Sequence, residues 1–257
     1  MLITLYKTYF WLFVIPVFAI VTILAALAAA IGCMLGGEKI FSYYPGMIWA
    51  RAACILTLCR VTVKGRENIR RGQSYVFVAN HQSAYDIFVI YGYLGSHIKW
   101  MMRKGLEKIP FVGFACRKCG FIFVDNSSAR TAQKSIMEAE SKLKNGRSLI
   151  IFPEGSRTKD GKMGKFKRGA YQIAVEMKLP LVPITLNGPF KVMRSNSFNI
   201  KPHRMEMIIH PEVEIPPYPA IDPSDSRQAM LAVKERLQTL VDTTRDVIYS
   251  DLWDEFK

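Results

Sequence analysis

The sequence predicts an α/β fold: a mixed sheet layered with helices, preceded by an N-terminal membrane-embedded helical segment. Three observations carry that expectation. From Arg60 onward, short apolar runs of strand length alternate with longer stretches of helical period, the pattern of a sheet covered by helices. From Thr8 to Gly37 there is no charged residue, a run well past the ~18 to 20 positions that mark a membrane segment. Half of the 257 residues (50%) are hydrophobic, enough for one well-buried domain with an appendage. The expected organisation is residues 1–60 as the membrane-embedded helical segment and residues 61–257 as a single α/β unit.

The apolar front, "TYFWLFVIPVFAIVTILAALAAAIGCMLGG" (8–37), is longer than one crossing needs. As one helix it would reach about 45 Å against a ~30 Å hydrocarbon core. A cleaved secretory leader has a shorter apolar core, of ~7 to 15 residues, so a retained segment is the reading. Pro16, Gly32, Gly36 and Gly37 offer places to break it. A second apolar stretch, "FSYYPGMIWARAACILTLCR" (41–60), is interrupted by Arg51 and rich in aromatics suited to a lipid interface. A tilted single span and a helical hairpin in one leaflet both fit. The flanking charges Lys7, Glu38, Lys39 and Arg51 do not choose between them.

Beyond that front, strands are expected at 61–65, 74–80, 98–102, 120–125, 147–153, 179–186 and 204–210. Helices are expected at 85–94, about 127–144, 171–178 and about 224–249. The last keeps Leu231, Leu237, Leu240, Val241 and Ile248 mostly to one face, and "PPYPA" (216–220) reads as a connector.

Formal net charge is +14. Such an excess attracts anionic lipid surfaces, phosphorylated substrates, acidic carrier proteins or nucleic acid. Nucleic acid would rest on charge alone, without a reader motif, and beside a membrane segment lipid is the better partner. Five cysteines, an odd number partly placed in the apolar front, make no disulfide framework and point to a reducing compartment. "CRKC" (116–119) has no second pair and no nearby His, so core cysteines rather than zinc ligands are expected, and no metal site is read.

Two stretches are candidates for chemistry, each with a plainer alternative: Asp86 as electrostatic support of a helix start beside a polar loop His81, and the basic run after Glu154 as a solvated turn. "YVFVANHQSAYD" (75–86) runs from a strand into a polar turn and places His81 and Asp86 five apart. On a regular helix those positions point about 140° apart. They meet only if His81 lies on the turn and Asp86 in the first turns of the helix after it. An Asp beside a His fixes its tautomer and makes it a better base. "IIFPEGSRT" (150–158) follows a buried strand with Glu154, Gly155, Arg157 and Thr158. Its Gly permits close backbone approach, and its Arg presents a planar fork to phosphate oxygens. Glu154 has the chemistry to accept hydrogen bonds from substrate hydroxyls. Lys159, Lys162, Lys165, Lys167 and Arg168 behind it form an electrostatic funnel for an anion. In sheets of this type ligands collect beyond the carboxyl ends of strands, where both stretches lie.

Together these blocks resemble the glycerolipid acyltransferase family, specifically bacterial 1-acylglycerol-3-phosphate (lysophosphatidic acid) acyltransferases. "NHQSAYD" matches the family's NHxxxxD block and "FPEGSRT" its FPEGxR block. "RKGLEKIPFVGFACRKCGFIFVD" (103–125) is similar to the block between them, and "LVPITL" (181–186) to a later Pro-containing strand. The resemblance covers roughly residues 60–190, and the set in this order is more specific than any block alone.

The resemblance implies that His81 is general base on the free glycerol hydroxyl of a lysophospholipid, oriented by Asp86. It implies Arg157 on the phosphate, with Glu154 and Gly155 lining the glycerol site. Arg103 or Lys104 would stabilise the oxyanion. It implies no cofactor; acyl-CoA or an acyl carrier protein is the co-substrate, and the phospholipid membrane and lysophosphatidic acid are the partners. It places the chain at the cytoplasmic (inner) membrane with the catalytic domain facing the cytoplasm. One position departs: where the family commonly has Asp-Arg, this chain has Asp125-Asn126, so a phosphate contact there is lost or passes to Arg130 or Lys118. Acylation of another acceptor (a different lysophospholipid, a lyso-ornithine lipid or glycerol 3-phosphate) and a non-catalytic membrane lipid-binding protein remain alternatives.

Overall fold

The computed structural model describes residues 2–124, 147–215, 217 and 226–257. The helix expected near 127–144, with Asp125, Asn126 and Arg130, and most of the 216–220 connector lie outside the described residues.

The apolar front folds as helix α1 (Leu2–Tyr9), a π-helical turn (Phe10–Val14) and α2 (Ile15–Met34) without a break between them. Pro16 does not break the run, as the sequence had allowed. Its ring crowds the carbonyl four residues back and it donates no N–H, and the wider turn just before it absorbs both defects. The chain then reverses through Gly36, at φ +86°, into the short α3 (Glu38–Phe41) and returns as α4 (Tyr44–Leu56). The two long arms are tied together: the Trp49 indole donates to Thr22 Oγ1 at 2.9 Å, and the Tyr9 hydroxyl to the Leu56 carbonyl at 3.0 Å. This is a helical hairpin. Its Ala26, Ala29, Ala30, Ala50 and Cys54 are buried in the same core as Tyr75, Phe77 and Ile90. Much of the remaining surface of α1 and α2 is large and apolar and stays exposed. Residues Ile3–Met34 are long and apolar enough to cross a membrane.

Among the described residues the sheet has seven strands: β1 (Arg60–Lys64), β2 (Val76–Ala79), β3 (Ile98–Arg103), β4 (Ile122–Val124), β5 (Ser148–Ile151), β6 (Leu181–Asn187) and β7 (Arg204–Ile209). Their order is β1-β7-β6-β2-β5-β3-β4. Every pairing is parallel except β6 with β7. The central strands β2, β5 and β6 are buried along their whole length, which is why they read as unbroken apolar runs instead of alternating ones.

Period 2 sends successive residues of a strand to opposite faces. Tyr75, Phe77 and Ala79 pack with α5 (Tyr85–Tyr93), α4 and α2. Val76 and Val78 pack on the other face with α7 (Gly169–Met177) and α9 (Ser226–Ser250). In α9 the buried face is Leu240, Val241 and Ile248, whereas Leu231 is half exposed, since the first turns of that helix extend past the sheet contacts. Two further helices are α6 (Val112–Lys118) and the single turn α8 (Pro189–Val192).

An ion cluster fixes the hairpin to the sheet. Lys99 on β3 is 3% exposed and meets Glu38 of the hairpin turn at 3.2 Å, and Arg147 meets the other Glu38 oxygen at 2.8 Å. Lys99 Nζ also donates to the Cys119 carbonyl. Burial pulls the Lys99 pKa down, opposed by the Glu38 carboxylate.

Candidate active site

β2 and β5 are neighbours in parallel, with Val76 opposite Leu149 and Val78 opposite Ile151. Their carboxyl ends therefore release the two chemistry-bearing stretches side by side. Asn80, the first residue past β2, locks this end of the sheet: its side chain donates to the Leu186 carbonyl at 2.9 Å and accepts from the Leu186 N–H at 2.8 Å. His81 follows on the turn, and Asp86 is the second residue of α5.

His81 Nδ1 and Asp86 Oδ2 are 2.7 Å apart. The same oxygen accepts the backbone N–H groups of Gln82 (2.7 Å) and Ser83 (2.8 Å). Three donors on one fully buried oxygen stabilise the anion, and the carboxylate obliges Nδ1 to carry its proton. The lone pair is thereby left on Nε2, which bonds no described residue. The ring is stacked on Phe152 at 4.0 Å and 14°. Its side chain keeps 15% of its surface open. The arrangement is a positioned base that can take a proton at one defined atom.

Glu154 makes two contacts that the sequence reading did not anticipate. One oxygen accepts the His81 backbone N–H and the other the Gly164 N–H, both at 2.7 Å. Both oxygens accept backbone donors in a buried site, so Glu154 braces the His81 turn against the following loop while also lining the cleft beside it. Burial raises its pKa, and the two backbone donors oppose that shift. Thr158 adds a second tie, its N–H donating to the His81 carbonyl at 3.0 Å. Its hydroxyl bonds Asp160 at 2.7 Å.

Gly155 sits at φ +74°, with the Lys167 ammonium so near that an added Cβ would lie 2.9 Å from it. The positive backbone angle is what favours glycine here, since the lysine tip could swing aside. Arg157, Thr158 and Lys165 line a cleft of about 380 Å³ with Glu154, Lys162 and Gly164. None of Arg157, Lys165 and Lys167 forms an ion pair with a described residue; with the Glu154 and Asp160 carboxylates beside Arg157, Lys162 and Lys165, the cleft lining carries a small net positive charge. Lys104 is exposed at the start of the turn after β3, and the Arg103 side chain lies outside the described residues.

The structure thus brings together His81, Asp86, Glu154, Gly155, Arg157, Thr158, Lys165 and Lys167. Sequence reasoning missed Phe152 beneath the imidazole and the two backbone donors on Asp86. It also missed Ser83, whose hydroxyl donates to the Met193 carbonyl at 2.6 Å. Among the described residues no three His, Cys, Asp or Glu side chains gather as a metal site. Cys119 is buried with its sulfur 3.7 Å from that of Cys33, and every cysteine is a free thiol.

Comparison with known proteins converges on one group. The family model "Acyltransferase" matches residues 60–187. A chloroplastic 1-acyl-sn-glycerol-3-phosphate acyltransferase of Arabidopsis thaliana is 33% identical over 66% of this chain and 48% of its own length. The 1-acyl-sn-glycerol-3-phosphate acyltransferase of Helicobacter pylori is 32% identical over 61% of this chain and 66% of its own length. The chain thus spans about half the length of the chloroplast relatives it matches. The crystal structure of the 1-acyl-sn-glycerophosphate acyltransferase PlsC from Thermotoga maritima superposes with TM-score 0.69 at 26% identity, covering 94% of this chain and 95% of that one. With the fold, the matched region and the relatives in agreement, this chain belongs to the glycerolipid acyltransferase family.

Proposed function

We propose that the protein transfers a fatty acyl group from an acyl thioester to the free hydroxyl of 1-acylglycerol 3-phosphate, forming phosphatidic acid in phospholipid biosynthesis. The observation that carries this reading is an Asp-held imidazole with a free Nε2 beside a cleft lined by Arg157 and Lys165, neither of which pairs with a described carboxylate. Nε2 takes the proton of the glycerol hydroxyl as its oxygen attacks the thioester carbonyl. The tetrahedral oxyanion is met by positive charge from Arg103 or Lys104. As it collapses, the carbon–sulfur bond breaks and the thiol of coenzyme A or of an acyl carrier protein leaves with the proton. Arg157 holds the phosphate as a bidentate partner, while Lys165 and Lys167 add attraction.

The helical hairpin within residues 1–60 is the membrane-embedded part, lying in the cytoplasmic (inner) membrane, and residues 61–257 face the cytoplasm. The five free thiols support the reducing side. Asn126, in place of the family's usual Arg, favours as second reading an acceptor with a different head group.

The test is thiol release by the purified full chain supplied with lysophosphatidic acid and either oleoyl-CoA or acyl carrier protein. Arg157→Ala should raise the apparent KM for lysophosphatidic acid by about 10- to 100-fold, as loss of a charge-assisted bidentate contact does. It should barely change turnover of monoacylglycerol, which has no phosphate. Equal weakening of both acceptors removes the phosphate role.

A further inference from the structure

A second cavity, about 500 Å³, opens away from the acyl-transfer residues. Tyr6, Lys7, Phe10 and Trp11 of the first helix face residues 196–200 across it. The loop side is held in shape by its own backbone: Ser197 N–H donates to the Arg194 carbonyl at 3.2 Å, and Lys201 N–H to the Val192 carbonyl at 2.9 Å. Asn196 is held at φ +61°. On the helix side the wall contains the start of the π-helical turn at Phe10–Val14, a departure from regular helix that frequently marks a functional position.

The lining has two chemistries. Lys7 and the side chains of Asn196 and Asn199 are polar, and no acidic side chain lines the cavity among the described residues. Arg194 and Lys201 stand at the two ends of the loop, and neither they nor Lys7 is ion-paired with a described residue. The rim is apolar and open to the outside: Phe198 is 74% exposed and Trp11 59%. A free anion would satisfy only the first set. An apolar chain would satisfy only the second.

We propose that this groove binds an anionic phospholipid of the host bilayer, at a site separate from the acyl-transfer centre. Its phosphate sits on the Lys7 ammonium, its head group bonds the amides of Asn196 and Asn199, and its acyl chains run past the exposed Trp11 side chain. Phe198 enters the interface beside it. The charge is complementary, since cations near a membrane surface each favour anionic lipid. Tyr6, Tyr9 and Trp11 stand at the same end of the helix, as interfacial aromatics do. The loop of residues 194–201 thereby becomes a second membrane contact, apart from the hairpin itself.

The experiment uses the full-length chain in an uncharged detergent, with micelles doped with phosphatidylglycerol or phosphatidylcholine, and a separate sample in inorganic phosphate. Melting is followed by circular dichroism, because a ligand that binds only the folded state raises Tm saturably. Phosphatidylglycerol raises Tm, and the other two additives do not. Lys7→Glu moves the half-saturating phosphatidylglycerol concentration up by about tenfold or more, and Asn199→Ala moves it in the same direction by less. Arg157→Ala leaves it unchanged, which separates this site from the phosphate cleft. The proposal is overturned by an equal gain from both lipids, by a gain from inorganic phosphate alone, or by a gain that survives Lys7→Glu but vanishes in Arg157→Ala.

Discussion

At the scale of the residue, the chemistry hangs on how one carboxylate oxygen is used. Asp86 Oδ2 holds the His81 ring and two backbone N–H groups at once, so it sets both the tautomer and the path of the turn. Asp86→Asn should lower kcat by about 10²- to 10⁴-fold, because an amide can offer Nδ1 a proton and shift the lone pair to the wrong nitrogen. KM for the lysolipid should change little, a split that steady-state rates would reveal; a variant with raised KM and intact kcat contradicts the orienting role. The partnership was legible from the spacing, since a strand-to-turn-to-helix path is the one route by which positions five apart meet. The role of Glu154 was not. Its partners are the backbone of residues 73 and 10 positions away, and a side-chain-to-backbone bond across the fold leaves no mark on residue type. Phe152 was hidden for a similar reason: an aromatic at a strand end reads as core until its stacking partner is known.

At the scale of the element, the sheet ends are braced by a part of the chain with no catalytic motif. Gly161 of the basic loop, at φ +93°, lies against Phe190 and Phe256, and an added Cβ would approach their rings at 3.0 and 3.2 Å. Phe190, Leu252 and Phe256 form a small buried cluster with Met163 and Trp253 packed on it. The Gln82 amide donates to the Gly161 carbonyl at 3.2 Å, so the C-terminal turn, the basic loop and the His81 turn are linked. Phe256→Ala should loosen the loop and raise KM for the phosphorylated acceptor several-fold, as displacement of a positioned contact does, while kcat at saturation stays within about twofold. Lost kcat with unchanged KM counts against this bracing. Most strands and helices were visible in the sequence because burial writes its period into the residues. The order of the strands and the antiparallel turn of β7 were not, since pairings across more than a hundred residues, such as Arg60 with Arg204, carry no local signal. Helix α6 went unread because "VGFACRK" is short and follows Pro110 without a clear apolar stripe.

At the scale of the whole molecule, the N-terminal hairpin is part of the same core as the sheet and carries an exposed apolar surface on its other side. The sequence left span and hairpin open because the flanking charges are balanced. The small residues Ala26, Ala29, Ala30, Ala50 and Ala53 let the helix backbones approach each other and the sheet layer. On the far side of the sheet, the buried His210 pairs with the Thr185 hydroxyl at 2.8 Å, and that hydroxyl donates to the Ile248 carbonyl. Burial lowers the His210 pKa, and Asp251 opposes this weakly. The unfolded chain takes up this proton near pH 6.5 and the folded chain resists it. Stability is therefore fully present above that pH and falls as the medium is acidified below it. Burial shifts His97 and His203 the same way. Melting temperatures of the detergent-solubilised chain should drop between pH 7 and pH 5, and His210→Gln should make that drop shallower. An unchanged slope in the variant removes His210 from this account.

The central claim is that one imidazole nitrogen accepts the proton of a lipid hydroxyl during acyl transfer. The most direct measurement pairs thiol release from an acyl thioester with lysophosphatidic acid binding in the full-length His81→Ala variant. The account predicts no turnover above background while lysolipid binds as it does to the unaltered chain. Turnover near the unaltered rate would contradict it.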